Sequence, residues 1–193
     1  MMSWLRRWFG APPSLRLHGI AVDLRNSRPD IADADVLARL DEALGLIAQY
    51  QPQRFRHLVR DVRVIRVERF PTRGAFLPAE RVVLTELTFL ARRDISAAPV
   101  ASSILHEGVH ARVHAFSTDV LGGRGDDDAM AREERLCRRA ELAFGRSLPS
   151  ELGAPVIERA AASLALADDE VAPTIDWREA RARQDEVDRG GAG

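Results

Sequence analysis

Five residues, His106-Glu107-Gly108-Val109-His110, constrain this chain more than any other stretch, because their types and spacing serve one piece of chemistry when the segment is helical. On an α-helix, side chains four residues apart lie one above the other with Cβ atoms roughly 5–6 Å apart, so both imidazoles can reach a single ion. The surrounding sequence supports a helix. Apolar residues at 104, 105, 109, 113 and 116 recur at helical period, and Leu105, Val109, Val113 and Phe116 form a stripe with His106 and His110 along its edge. Zinc suits such a pair, taking imidazole nitrogens at about 2.0–2.1 Å and commonly leaving one position of a three-ligand site to water. Glu107, next to the first ligand, is then positioned to accept a proton from that water and deliver it to a leaving group. Gly108 weakens the helix by on the order of 1 kcal/mol relative to alanine, and room for a neighbouring segment is the expected reason. The competing reading is an ordinary helix with hydrogen-bonded core histidines.

Two histidines need a partner. His114 continues the row, but a helix rises about 12 Å between positions 106 and 114, too far for convergence, so His114 is expected beside the ligands or on the cleft rim. No histidine follows residue 114 and the single cysteine is Cys137, which leaves a carboxylate as the expected donor. The segment 126–144 opens with acids suited to a helix N-terminus and has apolar residues at 130, 136, 137, 140 and 144. Glu134 shares an edge line with Met130, Cys137 and Glu141 and is the expected third ligand. Glu133 is the alternative, because a carboxylate within an apolar stripe is costly unless something compensates it.

The pattern His106-Glu107-x-x-His110 with a glutamate at 134 or 133 resembles the gluzincin group of zinc metallopeptidases, the thermolysin-like proteins in which a glutamate on a later helix completes the site. The resemblance covers about residues 60–146. It implies a Zn²⁺ cofactor, a peptide or protein substrate, and an extended strand before the motif helix that pairs with substrate backbone. The candidate strand runs from 81 to 90, with Val82, Val83, Leu84 and Thr85 as its substrate-binding positions. One departure stands out: such enzymes commonly steady the oxyanion with a later His or Tyr, and this chain has neither after residue 114. Arg138, Arg139 and Arg146 are near the candidate ligand in sequence and read first as surface charges.

The 193 residues, 46% of them hydrophobic, suit one well-cored domain, expected over 14–177, with an aromatic and basic segment at 1–13 and a charged tail at 178–193. Trp4, Trp8 and Phe9 in the first segment read as packing onto the domain or as a weak membrane-surface or partner contact. All 28 basic residues are arginine and 29 acids balance them, so the electrostatic footprint of a nucleic-acid binder is missing. One cysteine cannot form an internal disulfide and no secretory signal is evident, which fits a reducing cytoplasm. Residues 33–49 read as a helix ended by Pro52, 62–68 as a strand, 122–128 as a loop and helix cap, and 155–166 as a further helix.

The expected fold is α+β, a small and mostly antiparallel sheet packed against the motif helix and the following glutamate-bearing helix. The expected activity is zinc-dependent peptide hydrolysis with Glu107 as base. Its main rival is a zinc-binding regulatory or interaction module without turnover; hydrolysis of small amides or esters is a third reading.

Overall fold

A computed structural model describes residues 15–120 and 127–167 and the single positions 170, 178 and 182; of the side chains between 117 and 128 nothing is described. Trp4, Trp8, Phe9, the glycine-aspartate run at 122–126 and nearly all of the tail therefore lie outside the described residues.

The chain enters through a hairpin, β1 (Leu15–Leu17) and β2 (Ile20–Arg25), joined by His18 and Gly19. Both turn residues have positive φ, 49° and 86°, as a two-residue turn compatible with strand twist requires. Helix α1 (Asp33–Tyr50) follows, with acids in its first turn and Val36, Leu40, Ala43, Leu44 and Ile47 buried along one stripe. Pro52 does more than end this helix. It opens a second one, α2 (Pro52–Asp61), because proline's fixed φ and missing N–H cost nothing in the first turn.

β3 (Val64–Glu68), β4 (Gly74–Leu77) and β5 (Val82–Glu86) complete a five-stranded sheet of order β1-β2-β3-β5-β4. The architecture is α+β, but the sheet is mixed rather than mostly antiparallel. β2 pairs with β3 and β3 with β5 in parallel, while only the flanking hairpin partners β1 and β4 run antiparallel. The reason is the crossover: α1 and α2 carry the chain back along the sheet before β3 begins, so β3 starts from the same end as β2. Every residue of β5 is buried, as expected of a strand inside a parallel stack.

The strand expected over 81–90 stops at Glu86. Its carboxylate accepts a hydrogen bond from the Phe89 N–H at 2.7 Å and caps a short helix, α3 (Leu87–Ala91), a local bond that outcompetes the strand preference of the apolar residues.

Three longer helices follow, α4 (Ala97–Val120), α5 (Asp127–Ser147) and α6 (Ser150–Leu164). α4 is buried without interruption from Val100 to Val109, packing into one core with α1, the sheet, Cys137 and Phe144 of α5 and Val156 of α6. Gly108 is where α2 meets α4: a Cβ there would lie 2.8 Å from Leu58 Cδ1. Gly153 lets α6 close on α5, since a Cβ there would stand 2.2 Å from the Gly145 carbonyl oxygen. Among the described residues, no helix is long and apolar enough to cross a membrane.

Candidate metal centre

α4 turns its motif residues towards α5, and the two helices meet through side chains that are polar but buried. His106 and Glu107 are 6% and 8% exposed, well inside the interior range for groups that titrate. The Nε2 atoms of the two motif histidines face each other at 3.1 Å. The Glu134 carboxylate closes the triangle, with Oε2 3.4 Å from His106 Nε2 and Oε1 3.1 Å from His110 Nε2. Two donors each about 2.0–2.1 Å from a tetrahedral ion stand roughly 3.4 Å apart, so these separations suit a shared small cation.

The outward nitrogens are held as firmly. His106 Nδ1 donates to Glu141 Oε1 at 2.6 Å, and His110 Nδ1 to Glu133 Oε1 at 2.8 Å. Glu141 is fixed in turn by Ser102 Oγ, donating to Oε2 at 3.0 Å, and by Arg138 Nη1, donating to Oε1 at 2.7 Å. With each Nδ1 committed as a donor, both neutral imidazoles would aim a lone pair from Nε2 at the Glu134 oxygens. Lone pairs converging on one point repel unless a proton or a cation sits among them, and this donor set fits a metal ion.

The electrostatics carry the same signature. Burial, the largest influence on His110, disfavours its charged form, yet contacts with Cys137, Glu133 and Glu134 overcome it and raise the pKa far above the ordinary value. His106 is also raised, burial being outweighed by Glu134 and Glu141. Glu134 is driven low, because the two imidazoles overcome its burial. Glu107 moves the other way: burial raises its pKa, and the nearby histidines only partly oppose this.

The two candidate glutamates occupy different positions. Glu134 faces both Nε2 atoms, whereas Glu133 supports the far side of His110. Cys137, one turn beyond Glu134, also approaches: His106, His110 and Cys137 present ligand atoms all within 4.8 Å of one another and could hold a metal ion. Glu134 is the better third donor on distance, since its oxygens are within 3.4 Å of both Nε2 atoms. His114 has its ring in an edge contact with Phe76 of β4, centroids 5.9 Å apart.

Val82, Val83, Leu84 and Thr85 do not offer a free strand edge. They pair with Val64–Val67 of β3 on one side and Gly74–Leu77 of β4 on the other. The outer position, where a peptide could add, belongs to β4. The short run 74–77, set between Pro71 and Pro78, reads as turns in the sequence, and only its pairing with β5 makes it a strand. Gly74 brings β4 against the centre, since a Cβ on it would lie 3.2 Å from both Glu107 Oε1 and Ser103 Oγ.

Two supporting residues are not evident from the motif. Ser102 precedes His106 by one helical turn and Arg138 follows Glu134 by one, so helical spacing could have flagged both. Arg138 is no surface charge: its side chain is 19% exposed and braces Glu141. Arg139 and Arg146 are exposed, as expected. No protein-family model, curated protein or solved structure matches this chain.

Proposed function

We propose that this protein is a zinc-dependent metallopeptidase of gluzincin type, with His106, His110 and Glu134 as metal ligands. The observation that carries the reading is the convergence of those three side chains, their outward nitrogens held by Glu141 and Glu133, beside a buried glutamate that is not part of the triangle. Zinc, when bound, supplies Lewis acidity, lowering a water's pKa towards about 7 and polarising a carbonyl.

The chain's own residues supply the rest. Glu107, buried beside the two histidines, is the carboxylate placed to take a proton from water and pass it to the departing amine. The outer edge of β4 offers backbone N–H and C=O groups to an extended peptide, and Gly74 leaves that edge close enough to Glu107 for the bound backbone to reach it. His114, against Phe76, lines the same strand. A single buried cysteine and balanced charge support a reducing, cytoplasmic setting and a peptide rather than nucleic acid as partner.

One observation favours a second reading, a zinc-binding interaction module without turnover: no His or Tyr follows residue 114 to steady an oxyanion. Elemental analysis together with digestion of a mixed peptide library separates the two. A peptidase carries about one equivalent of zinc and cleaves peptides, and Glu107→Gln keeps the zinc and loses the cleavage. Zinc with no cleavage by the unaltered chain overturns the peptidase reading; cleavage retained by Glu107→Gln removes Glu107 from its role.

A further inference from the structure

Cys137 is the chain's single cysteine and is fully buried, a place a cysteine ordinarily fills as a small apolar side chain. Part of its surroundings fits that role, since it shares the core with Ala140 and Phe144 of its own helix. The sulfur does not meet apolar atoms alone. Its Sγ and one ring nitrogen each of His106 and His110 all lie within 4.8 Å of one another. From one turn earlier on α5, the Glu134 oxygens approach the Nε2 atoms of the same histidines at 3.4 and 3.1 Å. Each helix therefore brings two donors one turn apart, His106 and His110 from α4, Glu134 and Cys137 from α5. Metal sites in the core of helical bundles are built in this way, from side chains on facing helices.

A fourth donor changes what the site can do, because three leave a position open and four close it. Around a tetrahedral zinc ion, a sulfur at about 2.3 Å stands roughly 3.6 Å from an imidazole nitrogen at about 2.0–2.1 Å. The separations here exceed that by about 1.2 Å at most, a short approach for a side chain. Forming the bond also moves a proton. The thiolate is the ligand, so the S–H bond breaks, the proton goes to solvent, and the water otherwise in the fourth position leaves. Apolar surroundings favour the neutral thiol, which offsets part of the metal–sulfur bond. A ligand so balanced exchanges: when the sulfur takes its proton back, the position that turnover needs is free again.

We propose that Cys137 is a fourth, exchangeable ligand of the ion held by His106, His110 and Glu134, closing the site at rest. That closure restrains cleavage rests on the peptidase reading; the ligation rests on the metal centre alone. One equilibrium between closed and open site then governs two properties. Closure multiplies the zinc affinity by the same factor by which it divides the population competent for peptides. Removing the sulfur weakens zinc binding and speeds cleavage by that one factor, a few-fold for a nearly balanced exchange.

The test is X-ray absorption at the zinc edge of the zinc-loaded unaltered chain, Cys137→Ser and Cys137→Ala, with zinc affinity and cleavage of mixed peptides measured on the same preparations. In the unaltered chain most of the zinc has a sulfur neighbour at about 2.3 Å, and in both variants the neighbours are only nitrogen and oxygen at about 2.0–2.1 Å. Each variant binds zinc a few-fold more weakly and cleaves peptides a few-fold faster. A shell without sulfur in the unaltered chain overturns the ligation. Cleavage by both variants no faster than by an active unaltered chain overturns the exchange. The outcomes also separate the two proposals: cleavage without a sulfur neighbour removes only the Cys137 ligand, whereas a sulfur neighbour with no cleavage by any of the three chains removes the peptidase and leaves a closed metal site.

Discussion

α4 carries charge on two faces. On one, Asp61 at the end of α2 is 5% exposed and is met by Arg60 at 2.7 Å and Arg112 at 3.5 Å, and the Arg112 guanidinium lies 3.7 Å from the Phe116 ring centroid. On the other, His106, His110 and Glu134 point their ligand atoms at one another, and Glu107 is buried alongside. Arg112 is two residues past His110, which on a helix places it on roughly the opposite side. The Asp61 face is closed: one acid meets two bases, and burial of the charge is offset where it occurs. The histidine face is open in the opposite sense, since its acceptors converge on a point and leave a cation to complete the arrangement. Buried charge by itself therefore does not mark a functional site; convergence does.

The contrast is broken most directly through turnover. Glu107→Gln is expected to lower peptide hydrolysis by about 10²–10⁴-fold with zinc retained, while Asp61→Asn leaves the rate nearly unchanged. Equal losses in the two variants would mean that both faces serve only stability. Next in size is the metal itself. Glu134→Ala is expected to weaken zinc binding by more than about 100-fold and Cys137→Ser by only a few-fold, measured by competition with a chelator; the reverse order would make Cys137 the third ligand. Glu141→Gln keeps the ligands but replaces the acceptor that orients His106, and a loss of about 10–100-fold in zinc affinity follows. An affinity unchanged by it would show that Ser102 and Arg138 hold the imidazole without that carboxylate.

The smallest effect sharpens the closed face. Burial raises the Asp61 pKa, but the Arg60 hydrogen bond and the charges of Arg60 and Arg112 outweigh it and leave the value below 3.8. A depressed carboxyl pKa adds stability above the unfolded value and loses it as pH falls through the folded one. Asp61→Asn should thus cost about 1 kcal/mol in urea denaturation at pH 7, and the difference should shrink as the pH falls below the ordinary carboxyl value of 3.8 and through the depressed folded one. A cost independent of pH would assign it to packing instead of charge.

Much of this molecule is written in local periodicity. The stripe through Val36, Leu40, Leu44 and Ile47 reads as a helix from its spacing, and so does the stripe through Leu105, Val109 and Val113, because each register repeats often enough to leave no other period. Shorter signals mislead. Leu87, Phe89 and Leu90 are apolar and Thr88 is β-prone, yet hydrogen bonds from Thr88 Oγ1 and the Phe89 N–H to Glu86 cap a helix there. Pro52 marks a boundary correctly but not what lies beyond it, since proline suits both the end of one helix and the start of the next. The order of strands is likewise hidden from a linear reading: Gly74–Leu77 and Val82–Glu86 are hairpin partners, and which of them lies outermost depends on β3 having already taken the other side of β5.

The sequence alone determined the residue types of the candidate centre and the helices that carry them, because His106, Glu107 and His110 are fixed relative to one another by the 3.6-residue turn and need no partner to be recognised. Only the tertiary structure separated Glu134 from Glu133 and set Glu141, Ser102 and Arg138 behind His106. It also put β4 rather than β5 at the edge of the sheet among the described residues. Those outcomes depend on how α4, α5, α6 and the sheet pack, where adjacent residues on one helix reach different atoms of another, and no spacing along the chain encodes that approach.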